Sequence, residues 1–330
     1  MYRKVNKSKQ LVMLFVISIS ICCIMFTGCT DQEQPLQKVV IGLSWVHEAQ
    51  FAGLYWADQH GIFEEYGLEV ELVPYGYNDL VGKLMSRTYD FVILQTDSLL
   101  LARQQGYNVK AIFADYRLMP TVYYSWKQDN ITRPSDLIGK TVGVAYTERY
   151  PLLAMLKEED INTSLVTIVE REYDYGWLAN KSYDVEAGWI TDGYLVEDAI
   201  GEYNVIRPYE YGINWYADLI VTRNDMIQEN NELVLNFLRA TSIGWEEAIE
   251  QSNDAALLAK EYGATYSDEH LHFVFEVSIP LIHTGKDHIG WMEESVFKDT
   301  IEIFHEQGII TEPLNTYDVY TNQFLVEIYG

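Results

Sequence analysis

The sequence predicts an α/β protein of two lobes, each built on a mainly parallel sheet and joined by two crossings of the chain. Three observations predict this class. Short apolar runs alternate with helical segments, as in βαβ units. About 300 residues follow an N-terminal apolar segment, which is more than one hydrophobic core usually serves. The last third of the chain is helical without new strands, so its helices must pack on a sheet that already exists.

The N-terminus has the features of a lipoprotein signal peptide. Four basic residues precede the apolar run 11–26, which is shorter than the roughly 20 residues of a transmembrane helix. Two small residues then precede Cys29, where a lipoprotein signal peptidase would cleave. We expect residues 1–28 to be removed, Cys29 to be acylated and residues 29–37 to form a polar tether. The alternative is an ordinary secretory signal peptide that is cut elsewhere.

Charge and cysteine content exclude several classes of protein. Beyond residue 28 the chain has 19 Lys and Arg against 49 Asp and Glu, a net charge of −30 that repels nucleic acid. The three cysteines, Cys22, Cys23 and Cys29, all lie in or directly after the signal segment. We therefore expect no disulfide, thiol nucleophile or thiolate metal site in the folded domain.

The first lobe is expected to begin at residue 38. Continuous β-rich runs predict strands, and the turn residues between them delimit helices. The predicted strands are 39–43, 68–73, 91–94 and 109–113. The predicted helices are 49–60, one capped by Asn78 or Asp79, and 97–105.

A second α/β series begins near residue 134. Its predicted strands are 141–145, 165–169 and 185–190, and its predicted helices are 151–159, 176–180 and 193–200. A further apolar strand at 217–222 precedes long helices with apolar residues at helical spacing. From this order we expect residues 38–125 and 222–330 to form lobe 1 and residues 126–221 to form lobe 2.

Candidate site residues follow the strands, because ligands of open α/β sheets bind where the carboxyl ends of the strands meet. Trp45 and Trp189 occupy matching places in the two series, so we expect them to face each other and stack on a planar heterocycle. Helix capping alone would also explain Asp97 and Ser98. Trp215 and Asp218 lie near the return crossing. The predicted ligand-binding residues are Trp45, His47, Gln50, Tyr75, Asn78, Gln95, Asp97, Ser98, Tyr116, Tyr146, Trp189, Asp192 and Tyr216.

Motifs for catalysis are missing from the sequence. It has no Gly-x-Ser-x-Gly elbow, no Walker loop and no Gly-x-Gly-x-x-Gly after a strand. The histidines are not spaced as metal ligands. We expect a protein that is not an enzyme and that carries no cofactor or metal.

Several motifs in this order resemble the SsuA/THI5-like (NMT1) family of substrate-binding proteins. The resemblance covers nearly all of the chain after the tether. Its motifs are Gly42-Leu43-Ser44-Trp45, Gln50-Phe51-Ala52-Gly53-Leu54-Tyr55, Gly61-Ile62-Phe63, Gly67-Leu68-Glu69-Val70, Asp136-Leu137-Ile138-Gly139-Lys140-Thr141-Val142-Gly143-Val144, Tyr183-Asp184 and Tyr320-Thr321-Asn322-Gln323-Phe324-Leu325.

The resemblance implies a type II periplasmic-binding-protein fold and delivery of a small molecule to an ABC permease and ATPase. From this resemblance together with the signal segment and Cys29, we expect an extracytoplasmic, lipid-anchored monomer. The Gln50-Phe51-Ala52-Gly53 stretch is most similar to the carriers of thiamine pyrimidine precursors or riboflavin. Asp192-Gly193 stands where such carriers often have Asn-Glu, which is a departure from the pattern of the family.

Three alternatives stay open. One is an aliphatic sulfonate or nitrate carrier. Another is an enzyme that makes the thiamine pyrimidine, although the cysteine-rich motif of the eukaryotic relatives cannot exist after Cys29. The third is a sensor ectodomain or adhesion lipoprotein.

Overall fold

The computed structural model describes residues 35–76 and 79–330. The predictions for the signal peptide, for acylated Cys29 and for Asn78 lie outside these residues. The folded unit, Leu36–Gly330, contains two five-stranded sheets. No helix in the described part of the chain is long and apolar enough to cross a membrane.

The strand order is β2-β1-β3-β10-β4 in the first sheet and β7-β6-β8-β5-β9 in the second. The first sheet consists of β1 (Gln37–Gly42), β2 (Leu68–Val73), β3 (Phe91–Leu94), β4 (Val109–Tyr116) and β10 (Ala217–Arg223). The second consists of β5 (Thr121–Trp126), β6 (Thr141–Val144), β7 (Thr167–Glu170), β8 (Val185–Trp189) and β9 (Tyr203–Ile206).

Helices follow most strands and cover the faces of the sheets. The α-helices are α1 (Ala52–Gln59), α2 (Ile62–Glu65), α3 (Leu80–Met85), α4 (Thr96–Gln104), α5 (Arg149–Glu158), α6 (Gly176–Ala179), α7 (Gly193–Ile200), α8 (Asn224–Glu229), α9 (Asn231–Glu250), α10 (Ser252–Leu257), α11 (Asp268–Ile282), α12 (Glu294–Glu306), α13 (Thr316–Val319) and α14 (Gln323–Tyr329). Short 3-10 helices occupy Ala49–Phe51, Lys127–Asp129, Pro134–Leu137, Thr163–Leu165, Ile190–Asp192, Pro208–Tyr211 and Leu258–Tyr262.

Each sheet is mainly parallel, as predicted, with one antiparallel strand. In the first sheet, β1 pairs in parallel with β2 and β3, whereas β10 runs antiparallel to β3 and β4. In the second sheet, β6 pairs in parallel with β7 and β8, whereas β5 runs antiparallel to β8 and β9. Each antiparallel strand directly follows a crossing between the sheets.

The two sheets divide the chain a few residues before the predicted limits of the lobes. The strand Thr121–Trp126 belongs to the second sheet and the strand Ala217–Arg223 to the first, although residues 38–125 and 126–221 were predicted as parts of lobes 1 and 2. We propose that the lobes follow the sheets. The first lobe is then residues 36–116 and 217–330, the second lobe is residues 121–213, and residues 117–120 and 214–216 are the crossings.

The side chain of Asn214 ties the two crossings together. Its Nδ2 donates to the carbonyl oxygen of Arg117 at 3.1 Å, and its Oδ1 accepts from the backbone N–H of Met119 at 2.8 Å. These bonds satisfy backbone groups where the chain passes between the sheets and can form no ladder. The two bonds therefore hold the two crossing segments against each other.

Candidate ligand-binding site

A cavity of about 170 Å³ lies at the junction of the two lobes and the crossings. Its position agrees with the expectation that ligands bind at the carboxyl ends of the strands. The first lobe contributes Gln95, Asp97, Ser98, Ala217 and Phe304, the crossings contribute Met119, Pro120 and Trp215, and the second lobe contributes Thr121, Thr147, Tyr150 and Trp189.

Aromatic rings form much of the cavity wall. Trp215 meets Phe304 edge to face, with ring centroids 5.2 Å apart, and Tyr150 lies 5.9 Å from Phe304. Trp189 lies 6.1 Å from the buried ring of Tyr116. Flat apolar faces in a concave site favour a planar ligand, because such rings stack offset or edge to face.

Trp189 is held in place through its backbone. Its N–H donates to Asp192 Oδ2 at 2.9 Å, and its carbonyl oxygen accepts from the Tyr124 hydroxyl at 2.7 Å. The same Asp192 oxygen accepts from the Tyr175 hydroxyl at 2.7 Å, and burial raises the pKa of this carboxyl. Asp192 therefore orients the loop after β8 and is not among the residues that line the cavity, and its contact with ligand stays a prediction.

Polar groups of the cavity come from both lobes. Gln95, at the end of β3, and Asp97 and Ser98, in the first turn of α4, are all partly covered. Burial raises the pKa of Asp97, although the nearby backbone N–H groups of Ser98 and Asp97 favour its charged form. Tyr150 of the second lobe lines the same cavity and is 7% exposed, and its hydroxyl oxygen is fully buried.

A buried carboxylate, Asp218, organises the strand ends of the first lobe. Its Oδ1 accepts from Ser44 Oγ and from Gln95 Nε2, both at 2.7 Å, and its Oδ2 accepts from Gln50 Nε2 at 3.1 Å. Asp218 lies at a φ of 47°, which Asp tolerates better than most residues. Burial raises its pKa to about 6, although these three donors favour the charged form. Gln50 does not line the cavity, but it donates to the same carboxylate as the lining residue Gln95.

Three predicted residues around the end of β1 also do not line the cavity. Trp45 is 47% exposed, and its carbonyl oxygen accepts from the backbone N–H of Tyr75 at 2.9 Å. His47 Nδ1 lies 3.0 Å from the Tyr55 hydroxyl, and burial lowers its pKa. No contact between the Trp45 and Trp189 rings occurs within the described residues, so their expected pairing across the cleft stays a prediction.

The other three predicted tyrosines occupy different environments. Tyr216 packs in the core of the first lobe, and its hydroxyl accepts from the backbone N–H of Glu293 at 2.6 Å, so its ring lies away from the cavity. Tyr116 is fully buried and its hydroxyl lies 2.7 Å from Ser278 Oγ. Tyr146 is 69% exposed and packs edge-on against Tyr150 at 5.2 Å. Tyr116 and Tyr146 thus support lining residues from behind and from outside.

The structure brings together four of the predicted residues, Gln95, Asp97, Ser98 and Trp189, at one cavity. It adds others that strand-end reasoning did not single out. Tyr150 and Phe304 lie on helices, where an aromatic residue looks like ordinary packing in a sequence. Met119 lies in the chain segment between β4 and β5, and Thr121 begins β5, a strand that the sequence did not predict.

The two-lobed α/β architecture, with its cavity at the crossing strands, defines a protein of the periplasmic-binding-protein fold. Solved structures share it. The aliphatic sulphonate binding protein SsuA of Escherichia coli is 13% identical, with a TM-score of 0.69 over 85% of this chain and 91% of that chain. The desulfurization enzyme DszB is 12% identical, with a TM-score of 0.60 over 88% and 98%. The fold therefore serves both binding and catalysis, and its function depends on the site.

The sequence model of the NMT1/THI5-like family matches residues 48–255 of the chain. The chain therefore belongs to this family. Two curated proteins are similar over most of their length. The riboflavin-binding protein RibY of Chloroflexus aurantiacus is 26% identical over 314 residues, which cover 89% of this chain and 88% of that protein. The formylaminopyrimidine-binding protein of Halalkalibacterium halodurans is 23% identical over 259 residues, which cover 73% and 76%. Both are named as binding proteins, in agreement with the prediction of a protein that is not an enzyme.

Proposed function

We propose that the protein is the solute-binding component of an ABC importer and captures a small planar heterocycle between its lobes. The observation that carries this proposal is the aromatic wall of the cavity, formed by Trp189, Trp215 and Phe304 from both lobes and a crossing. A ligand in this position contacts both halves of the molecule. Its binding therefore favours a closed form that a permease can distinguish from the open one.

The size of the cavity favours a single-ring ligand. Pockets for drug-sized molecules typically measure about 300–1,000 Å³, whereas this cavity measures about 170 Å³. A thiamine pyrimidine precursor, such as hydroxymethylpyrimidine or formylaminopyrimidine, is the ligand class that we propose. The name of the Halalkalibacterium halodurans relative supports the same class.

Riboflavin is the second candidate, because the relative that matches the larger share of the chain is named for riboflavin binding. Its three fused rings and ribityl chain need a longer cleft than the described cavity. Such a ligand would require the two lobes to move apart.

Electrostatics disfavour a sulfonate or nitrate. Among the described residues that line the cavity, Asp97 is the only charged one, and no Lys or Arg lines it. An anionic ligand would face this carboxylate without a compensating cation, which costs free energy in a partly buried site.

The proposed partners follow from the importer role. We expect an ABC permease and its ATPase, and an extracytoplasmic monomer held at the membrane through acylated Cys29. Mass spectrometry of the membrane-extracted protein tests the anchor, since acylation adds a defined mass to Cys29.

Calorimetry with the purified protein tests the function. We expect micromolar or tighter binding of 4-amino-5-hydroxymethyl-2-methylpyrimidine, weaker or no binding of riboflavin, and none of taurine. Native mass spectrometry of protein purified without dialysis should reveal a co-purified heterocycle. Binding of taurine without binding of either heterocycle would contradict the proposal.

A further inference from the structure

A second cavity, of about 390 Å³, lies on the first lobe at the far end of β10 from the cavity between the lobes. We call it the outer cavity. Ala217, at the start of β10, lines the cavity between the lobes, and Asn224, directly after the end of β10, lines the outer one. A strand of this length spans roughly 20 Å. A ligand in the outer cavity would therefore not compete with the captured solute.

Amide side chains form much of the lining of the outer cavity. Asn224 and Gln228 belong to α8, Asn231 begins α9 and Gln323 begins α14. The side chains of Asn224, Gln228 and Asn231 make no hydrogen bond within the part of the chain that the structure describes. Each amide has a carbonyl oxygen that accepts and an NH2 group that donates, so these side chains can bind a ligand that does both.

The other lining residues are Lys110, Thr321 and Ile227. Lys110 Nζ donates to the carbonyl oxygen of Tyr317 at 2.6 Å, which occupies one of its three N–H groups. Ile227 is 5% exposed and adds an apolar surface. Among the described residues that line the outer cavity there is no Asp or Glu.

The charges favour an uncharged ligand. A cation would find no carboxylate in this lining. An anion would meet one ammonium group, already hydrogen-bonded, in a chain whose net charge beyond residue 28 is −30. Hydroxyl and acetamido groups both donate and accept hydrogen bonds, as the amide side chains do. The methyl of an acetamido group also suits the apolar surface of Ile227.

We propose that the outer cavity is a second binding site, which takes an uncharged, N-acetylated saccharide. The hydroxyl and acetamido groups of the sugar pair with the amide side chains of α8, α9 and α14, and the acetamido methyl packs on Ile227. This inference is independent of the proposed function, because the two cavities share no lining residue.

Ligand-observed NMR on the purified protein tests the site with three probes. Triacetylchitotriose has an acetamido group on each ring, cellotriose has a hydroxyl in its place, and inorganic phosphate is the anionic probe. We expect millimolar binding of triacetylchitotriose and about fivefold weaker binding of cellotriose, because it lacks the acetamido hydrogen bonds. Phosphate should not bind. Excess 4-amino-5-hydroxymethyl-2-methylpyrimidine should leave saccharide binding unchanged.

A double variant places the saccharide in the outer cavity. Gln228→Ala combined with Asn231→Ala should weaken triacetylchitotriose binding about tenfold, since two hydrogen-bonding side chains are removed. Gln251→Ala combined with Asn253→Ala makes the same chemical changes beyond the opposite end of α9 and should bind as the wild type does. All four residues are exposed, so we expect both double variants to fold, which thermal unfolding checks.

Each outcome decides for or against the outer site. Absence of saccharide binding overturns the proposal, and binding of phosphate alone overturns the assigned ligand class. Equal affinity for cellotriose contradicts recognition of the acetamido group. Equal affinity of the two double variants, or displacement of the saccharide by the pyrimidine, contradicts the location. Failure of the wild type to bind any heterocycle would contradict only the proposed function.

Discussion

Trp189 is the residue through which the second lobe presents its aromatic face to the cavity. Asp192 and Tyr124 fix its backbone, so the ring position depends little on the ligand. Trp189→Ala should weaken capture of the pyrimidine by about tenfold, since it removes a stacking partner and its buried area. Trp177→Ala is the matched control, because Trp177 is 41% exposed and stacks on Tyr183 outside the cavity. Equal dissociation constants for the two variants would argue against a wall role for Trp189.

Glu186 gives the second lobe a buried acid that no hydrogen bond satisfies. Both carboxylate oxygens lack partners within the described residues. The nearest cation is Arg171, whose Nη1 lies 3.6 Å away and which already binds Glu148 through two bonds of 2.7 Å. Burial raises the pKa of Glu186 to about 8, although Arg171 opposes this shift. The side chain is therefore mostly protonated at neutral pH.

The stability of the protein should fall as pH rises through this range. Folded Glu186 keeps its proton up to about pH 8, whereas the unfolded chain releases it near pH 4.5. The unfolded state thus binds fewer protons between these limits, and the free energy of unfolding decreases with pH. Asp218 acts with the same sign only up to about pH 6. The interval from pH 6.5 to 8 therefore separates Glu186 from Asp218.

Glu186→Gln should reduce this pH dependence, whereas the buried Asp115 carboxyl, whose pKa burial also raises, contributes equally in both proteins. The wild type should lose on the order of 1 kcal/mol of unfolding free energy between pH 6.5 and 8, and the variant should lose much less because glutamine stays neutral. Urea unfolding at both pH values measures the difference. Glu172→Gln, at an exposed neighbouring position, should behave as the wild type does. A slope that persists in Glu186→Gln would mean that another group carries it.

From the sequence, we could predict those cavity residues that lie at the carboxyl end of a strand. Gln95, Asp97 and Ser98 follow β3 and Trp189 is the last residue of β8, and all four line the cavity. Tyr150 and Phe304 reach it from helices, and nothing in local sequence distinguishes them from core residues. The donors of Asp218 lie 123 to 174 residues away along the chain, so only the folded sheet reveals that network.

At the scale of elements, the close crossing of α1 and α9 fixes the 3-10 helix that carries Gln50. A Cβ on Gly53 would lie 2.1 Å from the Trp245 ring, and one on Gly244 would lie 2.4 Å from the Gly53 carbonyl oxygen. Neither glycine has a positive φ, so the requirement is for space alone. Trp245 is fully buried and donates to Asp115 Oδ1 at 2.7 Å, so it cannot move aside.

Gly53→Ala should therefore destabilise the fold by roughly 1–3 kcal/mol through overpacking. This is opposite to the usual gain of Ala over Gly in a helix. Gly176→Ala in α6 is the control, because its new Cβ would meet only the exposed Asp174 carboxylate at 3.0 Å. Urea unfolding should show a loss for the first variant and no comparable loss for the second. Equal stability of the two variants would refute the packing argument.

The sequence predicted most elements of the two sheets but missed β5 and β9. The strands at 68–73 and 91–94 coincide with β2 and β3. β5 reads Thr-Val-Tyr-Tyr-Ser-Trp, in which aromatic and hydroxyl residues lack a continuous apolar run. Its Tyr123 and Tyr124 are both fully buried, with hydroxyls bonded to the carbonyl oxygens of Glu148 and Trp189. These distant partners make a segment that looks polar in the sequence an interior strand of the second sheet. Because local sequence does not show these partners, β5 was not predicted and was counted in lobe 1.

At the scale of the whole molecule, contacts on both flanks of the cavity join the lobes. On one flank, Phe273 of α11 packs against Gly193 of α7, where a Cβ would lie 2.7 Å from the Phe273 ring. On the other, Gln307 donates to the Tyr150 carbonyl oxygen at 3.1 Å, and Lys157 pairs with Glu306 at 2.6 Å. Tyr150 and Phe304 thus belong both to the cavity wall and to this second flank.

Because Tyr150 and Phe304 belong to both the cavity wall and this flank, we expect the rate of ligand release to depend on the contacts between α12 and α5. In Glu306→Lys two cations replace the pair between α12 and α5, so the closed form is disfavoured while the core of each lobe is unchanged. We expect pyrimidine to dissociate about two- to fivefold faster, with little change in the thermal midpoint. The effect should shrink at high salt, because both side chains are partly exposed and screened.

Stopped-flow dissociation at low and high salt, with small-angle scattering of the ligand-bound protein, measures this effect. Glu250→Lys makes the same charge change at an exposed position of α9 and should leave the dissociation rate unaltered. Equal acceleration in both variants would assign the effect to net charge, which attracts or repels a ligand at long range. Acceleration confined to Glu306→Lys and lost in salt would place it in the flank, since only there does the new charge meet Lys157.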